Sequence, residues 1–350
     1  MNELTEGLIL TTLEAFGEER TIYGAYHLLQ GKRSAQTIQD GHLFHLSGFF
    51  GLLSALTRDS FTSTVKQLER SGCLVLQNEN YASVTKAGRE KSREFLQKYP
   101  SIKKADGWNL KGLVKPFWLR LTLYVQALSH LAAGENEFYP VTLDRRVHRW
   151  VKQHLPTSIE DRQLRLDKLY HELTALLEGV PAQEAEIFVQ QLSGYKRYGL
   201  TLEQVAAILK ITVIEADVLH QLLIQRIVRT VRGEKKQFPL LHLFISDLHE
   251  SQSLTASAEK TYKLYQAGYS LEQIASIRKL KISTVEDHFV EFSLQIPTFP
   301  LRDFVPESIQ EDIKRIVQTK QTKRLRVIKE ELNQETSYFM IRLMLAKLGE

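Results

Sequence analysis

Arg278, Lys279 and Lys281 bracket a short turn, and Ser283, Thr284 and His288 follow within two helical turns of it. Ammonium and guanidinium groups neutralise phosphate, and hydroxyl and imidazole groups add hydrogen bonds to its oxygens, so this spacing suits a polyanion. Lys32-Arg33, directly after Gly31, is a second candidate phosphate contact. Lys323, Arg324 and Arg326 lie in a third basic run, Lys320 to Lys329, which Glu330 and Glu331 can equally balance as a solvated helix face. The stretch that carries His288 also carries Glu286, Asp287 and Glu291. Those carboxylates repel a phosphate backbone and attract a basic protein surface, so they form a candidate partner-docking set.

Catalytic chemistry is harder to assemble. Gly31-Lys32 superficially suggests a phosphate loop, but that motif needs a glycine five residues earlier and a Ser or Thr after the lysine. Here Gly24 is seven residues earlier and Arg33 follows. His42 and His45 near Asp40 lack a third ligand, and His242 and His249 are seven apart on an expected helix, which suits a surface or core edge better than a metal. Cys73 is alone, which rules out an intramolecular disulfide and a cysteine-based zinc site. No nucleophile, base and acid share a usable spacing. A non-enzyme is expected, with no cofactor, no metal and no small-molecule substrate.

The 350 residues carry 46 Lys+Arg against 41 Asp+Glu, a net charge of +5, which permits a nucleic-acid partner without demanding one. Charge is uneven: residues 103–152 hold 9 basic against 4 acidic residues, so electrostatics alone points first to the middle of the chain. The start has no basic-then-apolar signal pattern, and no apolar run approaches the roughly 20 residues of a membrane span. A cytoplasmic protein is expected, nucleoid-associated if bound to DNA.

The elements that must position these residues are helices. In residues 255–294 a helix runs to about Ala267 and stops at Gly268; Ser270 caps a second, with Gln273 at the capping-box position; Ser283 is expected to cap a third, paired with Glu286. Val285, Phe289 and Phe292 give the third helix one buried stripe. Such a unit can set its second helix across a DNA backbone and its third in a groove. Gly199 to Ala206 repeats Gly268 to Ala275, with caps Thr201/Gln204 and Thr212/Glu215, and Lys210-Ile211-Thr212 lines up with Lys281-Ile282-Ser283 after two extra residues in the later copy. This earlier copy reads either as a second helix-turn-helix or as a plain helical hairpin; its third helix is acidic too, at Glu215 and Asp217.

Upstream, helices are expected at Leu4–Phe16, Thr21–Leu29 and Arg58–Ser71, then a hairpin from Cys73 to Thr85. That order is a winged helix. Residues 20–95 resemble the winged-helix module that follows the motor in RecQ-type helicases, through Gly31-Lys32-Arg33, His42 with Leu46, Ser47 and Gly48, Gln67-Leu68 with Gly72, and Val84-Thr85 with Gly88. The chain departs from the family at the hairpin tip, where Gln77 to Asn80 stand in place of a base-pair-splitting aromatic and Tyr81 is only adjacent. Tyr262 to Leu348 resembles the helix-turn-helix region at the C-terminus of many RecQ-type helicases, through Thr261-Tyr262, Gly268 to Ala275, Ser283-Thr284-Val285 and Ser337 to Leu343. As a whole the chain resembles stand-alone helicase-associated helix-turn-helix proteins of Gram-positive bacteria.

Four segments are therefore expected: a winged helix at 1–98, a helical middle at 99–195, a first helix-turn-helix-like unit at 196–250 and a helicase-type helix-turn-helix domain at 255–350, joined through a linker at Ser251–Ser253. In the middle, helices are expected at Trp118–Ala133, Leu143–His154, Ser158–Leu177 and Ala182–Leu192, with Pro116 at a helix start. The resemblance implies an accessory factor that serves a RecQ-type helicase in trans during repair or recombination; modest, patchy positive charge and acidic third helices lead us to expect DNA binding that is weak, salt-sensitive and largely sequence-independent. The acidic third helices leave a protein-interaction adaptor open, and a transcriptional regulator as a third reading.

Overall fold

The computed structural model describes residues 3–78, 80–248 and 254–348. Glu79 of the hairpin tip, His249 and the expected linker Ser251–Ser253 lie outside the described residues. In chain order, α1 (Glu3–Phe16) leads through a 3-10 turn (Gly17–Glu19) to α2 (Ile22–Gln30), α3 (Ala35–Leu43) and α4 (Arg58–Arg70). Strands β1 (Leu74–Gln77) and β2 (Tyr81–Val84) precede α5 (Lys86–Lys98). Then come α6 (Lys111–Ala132), α7 (Arg145–His154), α8 (Ile159–Leu177), α9 (Ala182–Gln190), α10 (Leu202–Leu209), α11 (Val213–Gly233) and α12 (Pro239–Ser246). Last are α13 (Ala256–Gln266), α14 (Leu271–Arg278), α15 (Ile282–Gln295), α16 (Glu307–Lys320), α17 (Leu325–Glu330) and α18 (Tyr338–Leu348). The fold is mainly α, as expected, and no described helix is long and apolar enough to cross a membrane.

Compactness divides the chain in two, where four segments were expected. One unit comprises Met1–Thr5 and Tyr99–Ser251, the other Glu6–Lys98 and Gln252–Glu350. The expected 1–98 and 255–350 domains therefore share one unit, and the expected 99–195 and 196–250 segments share the other. The reason lies in α3 and α11. Helix α3 buries Thr37, Ile38, Gln39 and Asp40 and packs on α15 and α18. Its Gln39 amide donates to the Arg342 carbonyl at 3.1 Å, and its His42 Nε2 meets the Gln295 amide at 2.8 Å. Helix α11 packs against α6, α9, α10 and α12, so Leu223, Ile224 and Ile227 join Phe117, Trp150 and Phe244 in one core. It is a central core helix of its unit.

Helix α6 begins at Lys111, and Pro116 sits inside it where a helix start had been expected. The hairpin forms as expected, antiparallel, with Leu74 opposite Val84 and Gln77 opposite Tyr81. The Val84-Thr85…Gly88 motif is its clasp onto α5. Thr85 Oγ1 donates to the Gly72 carbonyl at 2.7 Å and accepts from the Gly88 N–H at 3.1 Å. A Cβ at Gly88 would overlap the Cys73 carbonyl, so only glycine lets the helix leave the hairpin at this angle.

Candidate nucleic-acid interface

Helix α14 carries a complete capping box: Ser270 Oγ accepts from the Gln273 N–H at 3.3 Å and Gln273 Oε1 from the Ser270 N–H at 2.8 Å. Lys279 ends it in the left-handed region (φ 53°), and its N–H returns to the Ala275 and Ser276 carbonyls. Helix α10 is built the same way, with the Thr201–Gln204 box and Lys210 at φ 56°. The copies hold a constant offset, with helices starting at 202 and 271 and again at 213 and 282. The expected two-residue insertion does not exist. Correspondingly Lys281, without a side-chain bond, is the N-cap of α15, and Ser283 lies inside the first turn instead of capping it with Glu286.

This register decides what α15 can do. It packs against α3, α13, α14 and α18, and Val285, His288 to Leu294 are all buried. A helix enclosed in this way cannot lie in a DNA groove; only its first turn is open. Lys279, Lys281 and Ser283 are exposed there, and Thr284 is half-buried. The other expected contacts are spent internally. Arg278 donates to the Ser257 carbonyl at 2.8 Å and to Thr261 Oγ1, tying α14 to α13. Since Arg only donates, Thr261 is left to give its proton to His288 Nδ1, 2.8 Å away. Burial, with the Arg278 charge beside it, lowers the His288 imidazole to about 4, so it is neutral and cannot serve as a phosphate cation.

The acidic set is likewise structural. Glu291 is 3% exposed and takes the Thr255 N–H and hydroxyl at the N-terminus of α13. Burial raises its carboxyl, against the lowering effect of the Thr255 bonds and the Arg33 charge. Asp287 pairs with Arg342 of α18 at 2.6 Å, leaving Glu286, half-buried, without the neighbours that would make a docking face. The negative charge on the third helix holds α13 and α18, which is why it conflicts with groove reading.

Elsewhere, Lys32 and Arg33 are exposed in the turn where Gly31 ends α2, the Lys32 N–H bonding the His27 carbonyl at 2.9 Å. Lys323 turns inward, its Nζ donating to the Leu43 carbonyl 4.6 Å from the Phe44 ring centroid, and its pKa is lowered chiefly by burial. Arg324 donates to the Glu18 carbonyl. Arg326 pairs with Glu330 at 2.8 Å and Lys320 with Glu331 at 3.0 Å, the balanced helix face that the sequence allowed. Asp40 is committed to Arg20 at 2.6 Å, and among the described residues no group of three or more His, Cys, Asp or Glu could hold a metal ion.

The better basic helix was missed. Helix α4 immediately precedes the hairpin, the place of the groove-reading helix in a winged helix. It buries Phe61, Thr64, Val65 and Leu68 and exposes Ser63, Lys66 and Arg70 on the other side, with Arg58 exposed at its start. Thr57 caps it, accepting from the Ser60 N–H at 3.2 Å. Of its exposed acids, Glu69 accepts from the Leu76 N–H at 3.2 Å, while Asp59 shares the Ser63, Lys66 and Arg70 face; the Arg58 guanidinium lies 4.4 Å from the Tyr23 ring centroid. The signal was present: the residues between the recognised apolar positions of this helix carry the cations. The wing is tied down, with the Ile22 N–H on the Asn80 carbonyl at 2.8 Å and Gln77 and Ser83 both donating to Glu18. That anchoring, with no aromatic at the tip, suits a wing that braces α4 more than one that splits base pairs.

Residues 257–345 match the family described as a helix-turn-helix domain, which points to nucleic-acid binding. The chain is 32% identical over 341 residues to "Protein YpbB" of Bacillus subtilis (strain 168), an alignment that covers 97% of this chain and 96% of that relative. No solved structure matches it significantly.

Proposed function

The chain belongs to the YpbB family, and from that premise we propose that it is a non-catalytic nucleic-acid-binding accessory factor that serves a RecQ-type DNA helicase in trans, in repair or recombination. The observation that carries the DNA-binding half is the exposed side of α4, with Lys66 and Arg70 beside an anchored wing. The exposed Lys279, Lys281 and Ser283 at the first turn of α15 add a second contact to phosphate. Support for the helicase half is the double resemblance: two stretches that follow a RecQ-type motor elsewhere fold here into one unit. An adaptor with little affinity for DNA is favoured over this reading only by the enclosure of α15.

Fluorescence anisotropy on a labelled duplex of about 20 base pairs, across a salt series, tests the first half. Affinity should be weak and largely independent of sequence, and should fall steeply with salt. Replacing Lys66 and Arg70 by alanine should shrink the slope of log K against log salt by about 2, near 0.9 per lost phosphate contact. An unchanged slope would remove α4 from the interface. Affinity capture with and without nuclease tests the second half: a RecQ-type helicase should be recovered in both samples, and its loss in the nuclease-treated sample would reduce the partnership to DNA bridging.

A further inference from the structure

The surface that the function above leaves unexplained is in the unit built from residues 99–251. Gly194-Tyr195-Lys196-Arg197-Tyr198-Gly199 places two tyrosines and two cations in one tight turn. Gly194 and Arg197 exchange backbone hydrogen bonds at 2.9 and 3.0 Å, closing a four-residue turn. Lys196 holds its third position at φ 58°, the left-handed region where glycine or asparagine would be easier. The turn keeps a cation there at a conformational cost.

Its backbone is fixed on every side. The Tyr195 N–H donates to Ser129 Oγ at 2.8 Å, the Gly199 N–H to Ser193 Oγ at 2.9 Å and the Leu200 N–H to the Gln190 carbonyl at 2.8 Å. A Cβ at Gly199 would overlap the Gln191 carbonyl, so the base of the turn is pressed on the end of α9. The tip is correspondingly bare. Tyr198 is 92% exposed, and Lys196 and Arg197 are exposed with it. A rigid backbone carrying a bare aromatic ring loses little freedom when a ligand binds.

A second bare ring stands nearby. The His130 ring, on α6, stacks on Phe138 (4.7 Å between centroids) and meets the edge of Tyr195 (5.7 Å), so both segments rest on one side chain. Tyr139, next to Phe138, is 96% exposed. Gln126 pins its segment, donating to the Tyr139 carbonyl at 3.0 Å and accepting from the Val141 N–H at 2.9 Å. Gln126, Ser129 and His130 follow the spacing of one helix face, so α6 presents both segments on the same side. Flat rings with free faces, set beside ammonium and guanidinium groups, match unpaired bases linked by phosphates; duplex DNA keeps its base faces stacked inside. Glu135 and Glu137 on the Phe138 side leave phosphate to the Lys196–Arg197 side and make stacking the larger contribution.

We infer that the Tyr195–Tyr198 turn, with Tyr139, is a stacking platform for single-stranded nucleic acid. It is a second site, separate from the duplex-binding face of α4. Two cations give a shallow salt dependence, with a log–log slope of about −1.4 for this contact.

The test uses the full chain and a fluorescein-labelled oligothymidylate of about 20 nucleotides, with the labelled duplex beside it. Tyr198→Ala should weaken single-strand binding about 10-fold, within the range for losing one stacked base, and Tyr139→Ala should add to it. Tyr198→Phe should bind as the parent does, since the ring and not the hydroxyl is used. Duplex affinity should be unchanged in all three. Because these rings are solvent-exposed, circular dichroism should show each variant folded. Parental single-strand affinity in both alanine variants, or no single-strand binding by the parent chain, overturns the inference. Duplex binding that responds to Lys66 and Arg70 while single-strand binding ignores Tyr198 sinks this inference alone. The reverse pattern sinks the α4 reading alone.

Discussion

At the scale of single residues, the groups best suited to hold phosphate turned out to hold the protein. His288 is the clearest, since its environment keeps it neutral, with a pKa lowered to about 4. Its unfolded value is about 6.5, so above that pH neither state carries the proton and its stabilising contribution is complete. Between 6.5 and about 4 the unfolded chain takes a proton that the folded chain refuses, and up to ~3 kcal/mol is lost. Glu291 and Asp40, whose carboxyls burial raises, act in the opposite sense, so the comparison belongs between variants. Melting temperatures at pH 7 and pH 5 should fall further apart in the parent than in His288→Gln; equal differences would mean that His288 is protonated inside the fold. Glu291→Ala should cost about 2 kcal/mol in denaturant unfolding, because the half-buried Thr255 N–H and hydroxyl lose their acceptor, while leaving capture of a helicase by the folded protein unchanged.

At the scale of elements, the features with short-range causes were largely legible. Both capping boxes, the wing and the end of α13 at Gly268 have short-range causes in neighbouring side chains. The start of α15 was misplaced because Ser283 looks like a cap, whereas Lys281 caps with backbone alone and Lys279 takes the left-handed turn without being glycine. The buried stripe of Val285, Phe289 and Phe292 was legible; the enclosure of the other side of α15, at His288, Val290 and Glu291, was not. It depends on α3, and the Gln39–Arg342 hydrogen bond that accompanies it joins residues 303 positions apart. Gly88 is a case where the motif was visible and its cause was not. Gly88→Ala should destabilise the hairpin–α5 junction by about 3 kcal/mol, a steric cost in a place where backbone must give way. A melting temperature within about 2 °C of the parent would show that the junction can open without that cost.

At the scale of the molecule, the two-unit arrangement separates sequence neighbours and joins distant stretches. A fragment of residues 1–98 leaves bare the side of α3 that packs on α15 and α18, and a fragment of residues 255–350 leaves bare the matching surface. Each alone should be poorly dispersed by NMR and prone to aggregate, whereas co-expression should yield a soluble pair; two independently folded fragments would refute the shared core. Residues 99–251, by contrast, hold the core of their unit in one continuous stretch. Nested order of this kind sets a timetable at the ribosome. The middle of the chain can finish folding while α1 to α5 wait, half-covered, for α15 and α18 to emerge. Messages truncated after about residue 250 would therefore release a sound inner unit attached to an orphaned winged helix, a species with an exposed basic helix and an uncovered core flank that chaperones or proteases would be first to find.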